Sequence, residues 1–414
     1  MMTRRGLLLS TAALAQTAPT PEIGIKIGEV ARDSAMVWLR SDRRLRVAVN
    51  GRKPSEWRAT RANNDNTLNW PLSQLRPSTD YALRIEAEGG SAIDARFRTA
   101  PAWDDPGPQT FAMLSCQMFQ HRDDPVRGFK IYDSIRQLAP SALFSCGDNV
   151  YYDNEPPVAA TVELARFHWQ RMYGLPSIVE CLRSVPGYWQ KDDHDVYDDD
   201  SWPGKSTPKM GGLTFEQGQK LFFEQTPTPN PLHRSVRWGA NLEVWLLEGR
   251  DYRSPNTQPD SAAKTILGGQ QKTWLLRSLE MSRARFKLVI SPTPWVGPDR
   301  ANKKDNYSNS SFATEGREMR LALAKLLGGR GALLCGDRHW QYHSVDPESG
   351  LHEFGCGPAS DEHAGGTPGE DPRLHRFHRV KGGFLKIGAS AKELRLTHCD
   401  VRGSAVYDFP FKLA

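Results

Sequence analysis

The sequence predicts an α/β protein that carries an all-β segment at its N-terminal end. Residues 22–99 contain short apolar runs broken by Gly, Asn, Asp and Pro, which is typical of β-strands. From residue 110 to residue 414, strand-like apolar runs alternate with longer stretches of helical periodicity, and such alternation indicates an α/β fold. The Pro-rich residues 100–109 between the two parts are predicted to be a linker.

The N-terminal segment carries the pattern of a small β-sandwich. Residues 35–39, 45–49 and 82–86 form apolar runs of strand length. The stretch Leu75-Arg76-Pro77-Ser78-Thr79-Asp80-Tyr81 resembles a corner of fibronectin type III sandwiches, in which the tyrosine hydroxyl bonds back across the corner. We therefore expect a fibronectin type III-like sandwich over residues 22–99. An ordinary β-hairpin region is the alternative, and it also makes this segment all-β.

The α/β part is predicted from its order of strands and helices. Strands are expected at residues 111–115, 142–146, 242–247, 286–291 and 332–335. Helices are expected near residues 128–138, 267–279 and 315–327. Because ligand sites in such sheets gather beyond the carboxyl ends of the strands, the residues that follow each strand are the first candidates for function.

Length and composition set broad limits on the class of protein. The 414 residues suggest about two domains, and 38% hydrophobic with 25% charged residues is ordinary for a globular protein. The net charge of +6 is mild, and no basic run predicts a nucleic-acid partner. The six cysteines are widely and irregularly spaced, so no disulfide framework can be read from them. Cys146 and Cys335 end apolar runs and are expected in the core.

Residues 1–15 have the features of an export signal. The pair Arg4-Arg5 precedes a short apolar stretch, and Ala13-Leu14-Ala15 offers the small residues that a signal peptidase reads. The apolar stretch is too short to span a bilayer, and no other segment is apolar enough. We expect a twin-arginine signal peptide, a mature chain beginning near Gln16 and a periplasmic or extracellular location. An unstructured basic N-terminus is the alternative.

Four polar motifs stand at the ends of predicted strands. They are Ser115-Cys116-Gln117, Gly147-Asp148-Asn149-Val150-Tyr151-Tyr152-Asp153, Asp192-Asp193-His194-Asp195-Val196-Tyr197-Asp198-Asp199-Asp200 and Gly336-Asp337-Arg338-His339. The third motif contains six Asp among nine residues, and carboxylates packed this closely repel one another unless cations are present. A solvated surface loop is the alternative, but the apolar approach of residues 185–189 disfavours it.

The motifs together offer several kinds of metal ligand. Asp148 and Tyr151 can turn towards one cation, and Asp337 and His339 can point to one side of an extended segment. Taken singly, Asp148 could cap a turn, His339 could be structural and Cys116 could be a core residue. Carboxylate, phenolate, thiolate and imidazole groups in one place suit iron, zinc or manganese beside calcium or magnesium.

The four motifs in this order resemble those of the PhoD-like alkaline phosphatase family, a branch of the calcineurin-like metallophosphoesterases. The resemblance extends over about residues 22–400 and includes Leu267-Gly268-x-x-Gln271-x-x-Trp274-Leu275, Ser291-Pro292-Thr293-Pro294 and Cys356-Gly357-Pro358. It implies an α-β-β-α sandwich with metal ions at its rim, and a fold in which the metallophosphoesterase domain covers residues 110–414.

The resemblance also implies a set of ligands and cofactors. Ferric iron would be held by Cys116, Asp148, Tyr151 and Asp337, with one or two calcium ions nearby; Zn²⁺ and Mn²⁺ are the alternatives. The second metal position would use Asp193 and His339. The carboxylate of Asp199 is a further expected metal ligand, and His194 would lie beside the phosphate and donate a proton to the leaving oxygen.

Two departures from the family pattern concern this site. The family often has Asn where this chain has Asp199, and it tends to have Asp where this chain has Glu248. The expected substrate-binding residues are Arg250, which would also act in catalysis, together with Arg253 and Arg338. A surface ion pair is the alternative role for Arg250 and Arg253.

These features lead to a functional expectation. The chain is expected to be an exported alkaline phosphatase or phosphodiesterase that hydrolyses small-molecule phosphate monoesters or diesters with a multinuclear metal centre. One alternative is a phospholipase D-like diesterase, although no amphipathic membrane helix is evident. Another is a non-catalytic extracellular binding protein on the same scaffold. No Gly-x-Ser-x-Gly motif predicts a serine hydrolase, and no protein partner or specific nucleic acid is expected.

Overall fold

A computed structural model of the protein describes residues 21–413. Over these residues it contains 19 β-strands and six α-helices. The predicted signal peptide at residues 1–15 and the predicted cleavage near Gln16 lie outside the described residues, and they stay predictions.

The larger of the two main sheets has nine strands. They are β1 (Gly24–Gly28), β2 (Ala35–Arg40), β4 (Thr67–Leu72), β7 (Gln109–Leu114), β8 (Ala142–Cys146), β9 (Gly187–Gln190), β17 (Phe384–Ala389), β18 (Glu393–Cys399) and β19 (Ala405–Lys412). Their order across the sheet is β19-β18-β17-β7-β8-β9-β1-β2-β4. The central strands β7, β8 and β9 run parallel.

The second main sheet has seven strands, and a third sheet has three. The second contains β10 (Arg234–Trp238), β11 (Leu242–Leu246), β12 (Phe286–Ser291), β13 (Gly331–Cys335), β14 (Gln341–Val345), β15 (His352–Cys356) and β16 (His375–Arg379), in the order β10-β11-β12-β13-β15-β14-β16. Strands β11, β12, β13 and β15 run parallel. The third sheet joins β3 (Leu45–Val49), β5 (Asp80–Ala87) and β6 (Ala92–Arg98).

Six helices cover the outer faces of the two main sheets. They are α1 (Lys130–Leu138), α2 (Val162–Tyr173), α3 (Pro176–Leu182), α4 (Phe215–Gln225), α5 (Gly268–Met281) and α6 (Ala313–Leu327). Helices α1 to α4 pack on the nine-stranded sheet, and α5 and α6 pack on the seven-stranded sheet. The layers therefore follow the α-β-β-α order that the resemblance implies.

The central strands are apolar on both faces because both faces are covered. In β7, Phe111 and Met113 enter the core between the sheets, whereas Leu114 packs against the helices. In β12, Leu288 faces the same inter-sheet core and Val289 faces α5 and α6. Successive side chains of a strand point to opposite faces, so a strand buried on both sides reads as a continuous apolar run.

The N-terminal residues 22–99 contribute to the same core as the rest of the chain. Strands β1, β2 and β4 extend the nine-stranded sheet, and β1 joins β9 through a single parallel pair, Gly28 with Gly187. The backbone N–H of Arg76 donates to the Tyr81 hydroxyl at 2.8 Å, as the corner motif predicts. The fibronectin type III-like identity of this segment and its boundary at residue 99 stay predictions.

No helix in the described part of the chain has both the length and the apolar character that a bilayer crossing requires.

Candidate metal centre

The two main sheets bring the carboxyl ends of their central strands to one rim. The Gln190 side-chain amide, at the end of β9, donates to the carbonyl oxygens of Leu247 at 2.8 Å and Ile290 at 3.0 Å. At the end of β8, the Cys146 sulfur lies 3.3 Å from the carbonyl oxygen of Ser291. Because both sheets end here, side chains that follow strands of either sheet can meet at the rim.

Three predicted ligands share one backbone arrangement. Cys116, Asp148 and Asp337 each stand two residues after a strand, namely β7, β8 and β13. Their φ angles are 55°, 52° and 61°, in the left-handed region that side chains other than glycine seldom adopt. Such strained conformations cost about 1–3 kcal/mol each and persist where the surrounding structure holds them, commonly at functional sites.

Close packing at the rim explains the glycines before two of these ligands. A Cβ atom on Gly336 would lie 2.4 Å from the carbonyl oxygen of Cys146, and one on Gly147 would lie 2.7 Å from the Asp192 Cβ. Both distances are below contact, so only glycine lets the backbone at the end of β8 lie this close to the loops that follow β13 and β9.

The first ligand group contains Cys116, Asp148, Tyr151 and His339. The Cys116 sulfur lies 3.4 Å from Asp148 Oδ2, and the Tyr151 hydroxyl donates to the same oxygen at 3.0 Å. The Tyr151 hydroxyl also lies 3.4 Å from His339 Nε2. Ligand atoms of Cys116, Asp148 and His339 all lie within 4.8 Å of one another. The sulfur, phenol and imidazole in this group suit a transition metal.

The second ligand group contains Asp148, Asp193 and His194, again within 4.8 Å of one another. Asp148 belongs to both groups, so its carboxylate is placed to give one oxygen to each of two cations. Asp148 Oδ1 and Asp193 Oδ1 are buried and accept no hydrogen bond. Buried acceptors without a partner are costly, and a bound cation would satisfy both of them.

Without a cation, this environment opposes the ionised forms of its ligands. Burial raises the pKa of Asp148 well above its ordinary value, and the nearby charge of Asp193 adds to the rise. Burial also raises the pKa of the Cys116 thiol and of the Tyr151 phenol, and the charge of Asp148 raises both further. Metal ligands must be deprotonated, and a bound cation reverses these preferences. The donor set therefore fits a pair of adjacent cations.

His194 is oriented by a carboxylate outside the ligand groups. Its Nδ1 lies 2.6 Å from Asp153 Oδ1, and its ring packs on Tyr151 with 4.4 Å between the ring centroids. Although burial opposes the charge, the carboxylates of Asp153 and Asp193 raise the pKa of His194 well above its ordinary value. Sequence reasoning missed Asp153 as a site residue; its place five residues after Asp148, in the same loop, was the available signal.

Arg250 lies at the rim but is enclosed by carboxylates. The side chain is fully buried, forms an ion pair with Asp192, and lies 3.5 Å from Asp193 and 3.5 Å from Asp305. Its burial excludes the surface ion pair as the role of Arg250, whereas the phosphate clamp stays a prediction. In this structure Arg250 neutralises and positions buried acids, because its guanidinium is already surrounded by them.

Arg338 has a similar environment, and it changes the place of Asp337. Its Nη2 lies 2.6 Å from Asp337 Oδ2 and 2.9 Å from Asp299 Oδ2, and the side chain is buried. Asp337 consequently lies outside both ligand groups, whereas His339 joins the first group in its place. In this structure the Asp337 carboxylate lies beside the neighbouring guanidinium, and its role as a metal ligand stays a prediction. Arg338, like Arg250, lies among acids, and its contact with substrate stays a prediction.

Arg253 is also buried, and two of its three guanidinium nitrogens donate hydrogen bonds. Its Nε donates to the carbonyl oxygen of Gly249 at 2.7 Å, and its Nη1 donates to Asn256 Oδ1 at 3.3 Å. Its Nη2 has no hydrogen-bond partner among the described residues. Burial, together with the like charge of Arg250, lowers the pKa of Arg253 to about 10. Its burial also excludes the alternative of a surface ion pair, and its role in substrate binding stays a prediction.

Asp305 and Asp299 complete the arginine environment and were not predicted. Asp305 lies 3.5 Å from Arg250 and 3.7 Å from Arg338, so it bridges the two arginines. Both acids belong to the irregular segment after β12. The segment has no motif and no adjacent strand end at these positions, and therefore the sequence offered no signal for them.

The two departures from the family pattern have different structural consequences. Asp199 is 55% exposed at its side chain and belongs to a third acidic group, with Asp193 and Asp200. Glu248 is fully buried, lies 2.7 Å from the Lys191 ammonium, and accepts the backbone N–H of Arg250 at 2.9 Å. Glu248 therefore shapes the loop that carries Arg250.

All six cysteines lie among the described residues, and each is buried and free of disulfide bonds. Cys146 and Cys335 occupy the core, as their apolar surroundings predict. Cys116 is available as a thiolate ligand because no disulfide engages it.

Two solved structures share this architecture. The structure of PhoD matches 94% of this chain and 90% of its own chain, with a TM-score of 0.77 and 16% identity. The purple acid phosphatase PPD1 from yellow lupin (Lupinus luteus) seeds matches 96% of this chain and 74% of its own, with a TM-score of 0.66 and 14% identity. At these identities the likeness shows the fold.

Sequence comparison identifies the family. Alkaline phosphatase D of Bacillus subtilis (strain 168) is 22% identical over 326 residues, which cover 64% of this chain and 54% of that protein. This chain thus matches about half the length of that curated relative. The profile of the PhoD-like phosphatase family matches residues 111–410, well over half of the chain, including all four strand-end motifs. The chain therefore belongs to the PhoD-like phosphatase family, a family of phosphoesterases.

Proposed function

We propose that this protein is a metal-dependent phosphoric ester hydrolase that acts on small-molecule phosphate monoesters or diesters through at least two adjacent cations. The observation that carries the proposal is the position of Asp148, which is common to both ligand groups. A carboxylate shared in this way holds two cations side by side, the arrangement that phosphate-ester hydrolysis uses. Family membership supports the same reaction class.

The protein side chains would divide the work of the reaction. Bound cations would neutralise the phosphate oxygens and lower the pKa of a water towards about 7. Asp148 and Asp193 would set the spacing of the cations. His194 would lie beside the second cation without binding it, so that its Nε2 can donate a proton to the leaving oxygen while Asp153 fixes the ring through Nδ1. The Tyr151 ring packs on His194 at an angle of 34° and limits its rotation.

The proposed cations are Fe³⁺ in the first ligand group and Ca²⁺ in the second. A thiol and a phenol beside a carboxylate favour the iron, and the oxygen-rich second group favours the calcium. Zn²⁺ and Mn²⁺ are the alternatives. Metal analysis of the purified protein tests the assignment, and a phenolate ligand to Fe³⁺ should give a visible charge-transfer band that Tyr151→Phe abolishes.

The activity itself is tested with matched substrates. The metal-loaded protein is assayed on p-nitrophenyl phosphate, on bis(p-nitrophenyl) phosphate and on phosphatidylcholine vesicles. Hydrolysis of either nitrophenyl ester supports the proposal, and preferential cleavage of the vesicle lipid would favour the phospholipase D-like alternative. A protein that holds its metals and cleaves none of the three would contradict the proposal and favour the non-catalytic binding protein.

We also propose export through the twin-arginine route to the periplasm or beyond. The support is the Arg4-Arg5 pair ahead of a short apolar stretch. Replacing both arginines by lysine should block export, and the exported protein should begin near Gln16. N-terminal sequencing of the exported chain checks both statements, and retention of residues 1–15 on it would contradict them.

A further inference from the structure

The third acidic group at the rim differs from the other two because it contains a lysine. Carboxylate oxygens of Asp193, Asp199 and Asp200 lie within 4.8 Å of one another. The Lys303 ammonium lies 2.5 Å from Asp200 Oδ1 and 3.3 Å from Asp199 Oδ1. Only 12% of the Lys303 side chain is exposed, although its neighbour Lys304 is exposed. The lysine thus reaches into the group from the irregular segment after β12.

We propose that the Lys303 ammonium is a built-in cation that occupies this third carboxylate group, so that the protein takes metal ions only in the two groups that share Asp148. The inference rests on the proposed metal dependence. It concerns how many ions the centre holds, and it predicts that this chain has no calcium site at Asp199 and Asp200.

The charges around the three groups support a lysine in the third group and metal ions in the other two. An ammonium ordinarily titrates near pH 10.4, so Lys303 carries a positive charge at neutral pH. Two carboxylates at 2.5 and 3.3 Å match the reach of its hydrogen bonds. By contrast, no lysine or arginine of the described residues forms an ion pair with Asp148, the acid that the other two groups share.

Asp193 connects the lysine-filled group to the second ligand group. It belongs to both groups, and its Oδ2 accepts the backbone N–H of Asp200 at 2.5 Å, whereas its Oδ1 accepts no hydrogen bond. One oxygen of Asp193 therefore contacts the Asp200 backbone in the third group. The other accepts no hydrogen bond and lies 3.5 Å from Arg250 Nη2, on the side of the second ligand group. A divalent ion in the third group would have to displace the ammonium and repel its neighbour at Asp193.

The test compares Lys303→Met with Lys304→Met, a matched removal of an exposed lysine in the same segment. Each variant and the wild type are dialysed in millimolar Ca²⁺, and bound metal per chain is counted by mass spectrometry. Further Ca²⁺ binding is measured by calorimetry. Wild type and Lys304→Met should hold two ions. Lys303→Met should gain a third, with a dissociation constant on the order of 10⁻⁴–10⁻³ M, as for weak calcium sites.

Two outcomes would overturn the inference. A third Ca²⁺ in the wild type would show that the lysine does not fill the group, and this measurement needs no variant to fold. An unchanged ion count in Lys303→Met, with a raised KM for p-nitrophenyl phosphate, would assign the lysine to the substrate phosphate. Lys303→Arg keeps the charge and should keep the wild-type ion count. The number of bound ions is measured without any substrate. The inference about Lys303 can therefore be tested even if the protein shows no hydrolysis.

Discussion

The two halves of the rim bury acidic side chains in different ways. In the arginine-paired half, Asp192, Asp299, Asp305 and Asp337 contact the guanidinium groups of Arg250 and Arg338. In the unpaired half, Asp148 has the Cys116 thiol and the Tyr151 phenol beside it, and no lysine or arginine of the described residues forms an ion pair with it.

Asp305 and Asp148 illustrate this difference, although burial also raises the pKa of Asp192 and of Asp337 in the arginine-paired half. Although burial acts to raise it, the charges of Arg338, Lys303 and Arg250 hold the pKa of Asp305 below its usual range. Burial and neighbouring carboxylates raise the pKa of Asp148 instead. A buried acid that is neutralised within the chain has a structural role, whereas a buried acid left without a counter-charge indicates an external cation.

The largest effect is expected for Asp148→Asn. The amide keeps the shape but removes the charge shared by two cations, so hydrolysis should fall by about 10³-fold or more, roughly 4 kcal/mol. The metal-free variant should melt at a higher temperature than the metal-free wild type, because a repelled buried charge is gone. Assays, metal analysis and thermal melts in EDTA check this.

Asp198→Asn is the matched control for that variant, because Asp198 contacts Lys205 at 2.8 Å and lies outside the three ligand groups. Its metal content and activity should stay close to those of the wild type. If Asp148→Asn kept two ions and full activity, the unpaired half would not be the metal centre.

In the arginine-paired half, a substitution should mainly lower the free energy of unfolding. Replacing Arg250 with Met leaves Asp192 without its buried counter-charge and removes one positive neighbour from Asp193 and from Asp305, and loss of one partner from such a pair costs about 3–5 kcal/mol. Denaturant unfolding of the metal-free protein measures this cost. A variant of unchanged stability with a raised KM for phosphate esters would instead restore Arg250 to substrate binding.

A smaller effect is expected for Asp153→Asn, which weakens the orientation of His194. Proton donation is worth about 10²–10⁴-fold, and the loss should depend on the leaving group. We expect hydrolysis of an alkyl phosphate to fall by about 10²-fold, and hydrolysis of p-nitrophenyl phosphate to fall much less, because nitrophenolate leaves without a proton. Equal losses on both substrates would indicate a purely structural role for Asp153.

The smallest change of the four is expected for Cys116→Ala, which removes one ligand from the first group only. Iron affinity should weaken by at least about tenfold, in the range expected for disturbed metal sites, while calcium in the second group is retained. Metal titration of the variant measures both ions. Loss of both ions together would mean that metal binding in the second group depends on the first group.

Much of the centre could be predicted because its ligands follow strands. The apolar runs that became β7, β8 and β13 are local features, and Cys116, Asp148 and Asp337 stand two residues beyond them. The contact between Asp337 and Arg338 could not be predicted in the same way, because the guanidinium of the next residue can point elsewhere in another fold.

The sequence by itself determined the α/β alternation, the strand ends and the kinds of ligand that gather there, since apolar periodicity and motif order are written along the chain. Only the tertiary structure decided which acids receive a counter-charge. The segment after β12 brings Asp299, Lys303 and Asp305 against residues that lie far away in sequence. Charge compensation depends on distances of a few ångströms between such segments, and packing of the two sheets sets those distances.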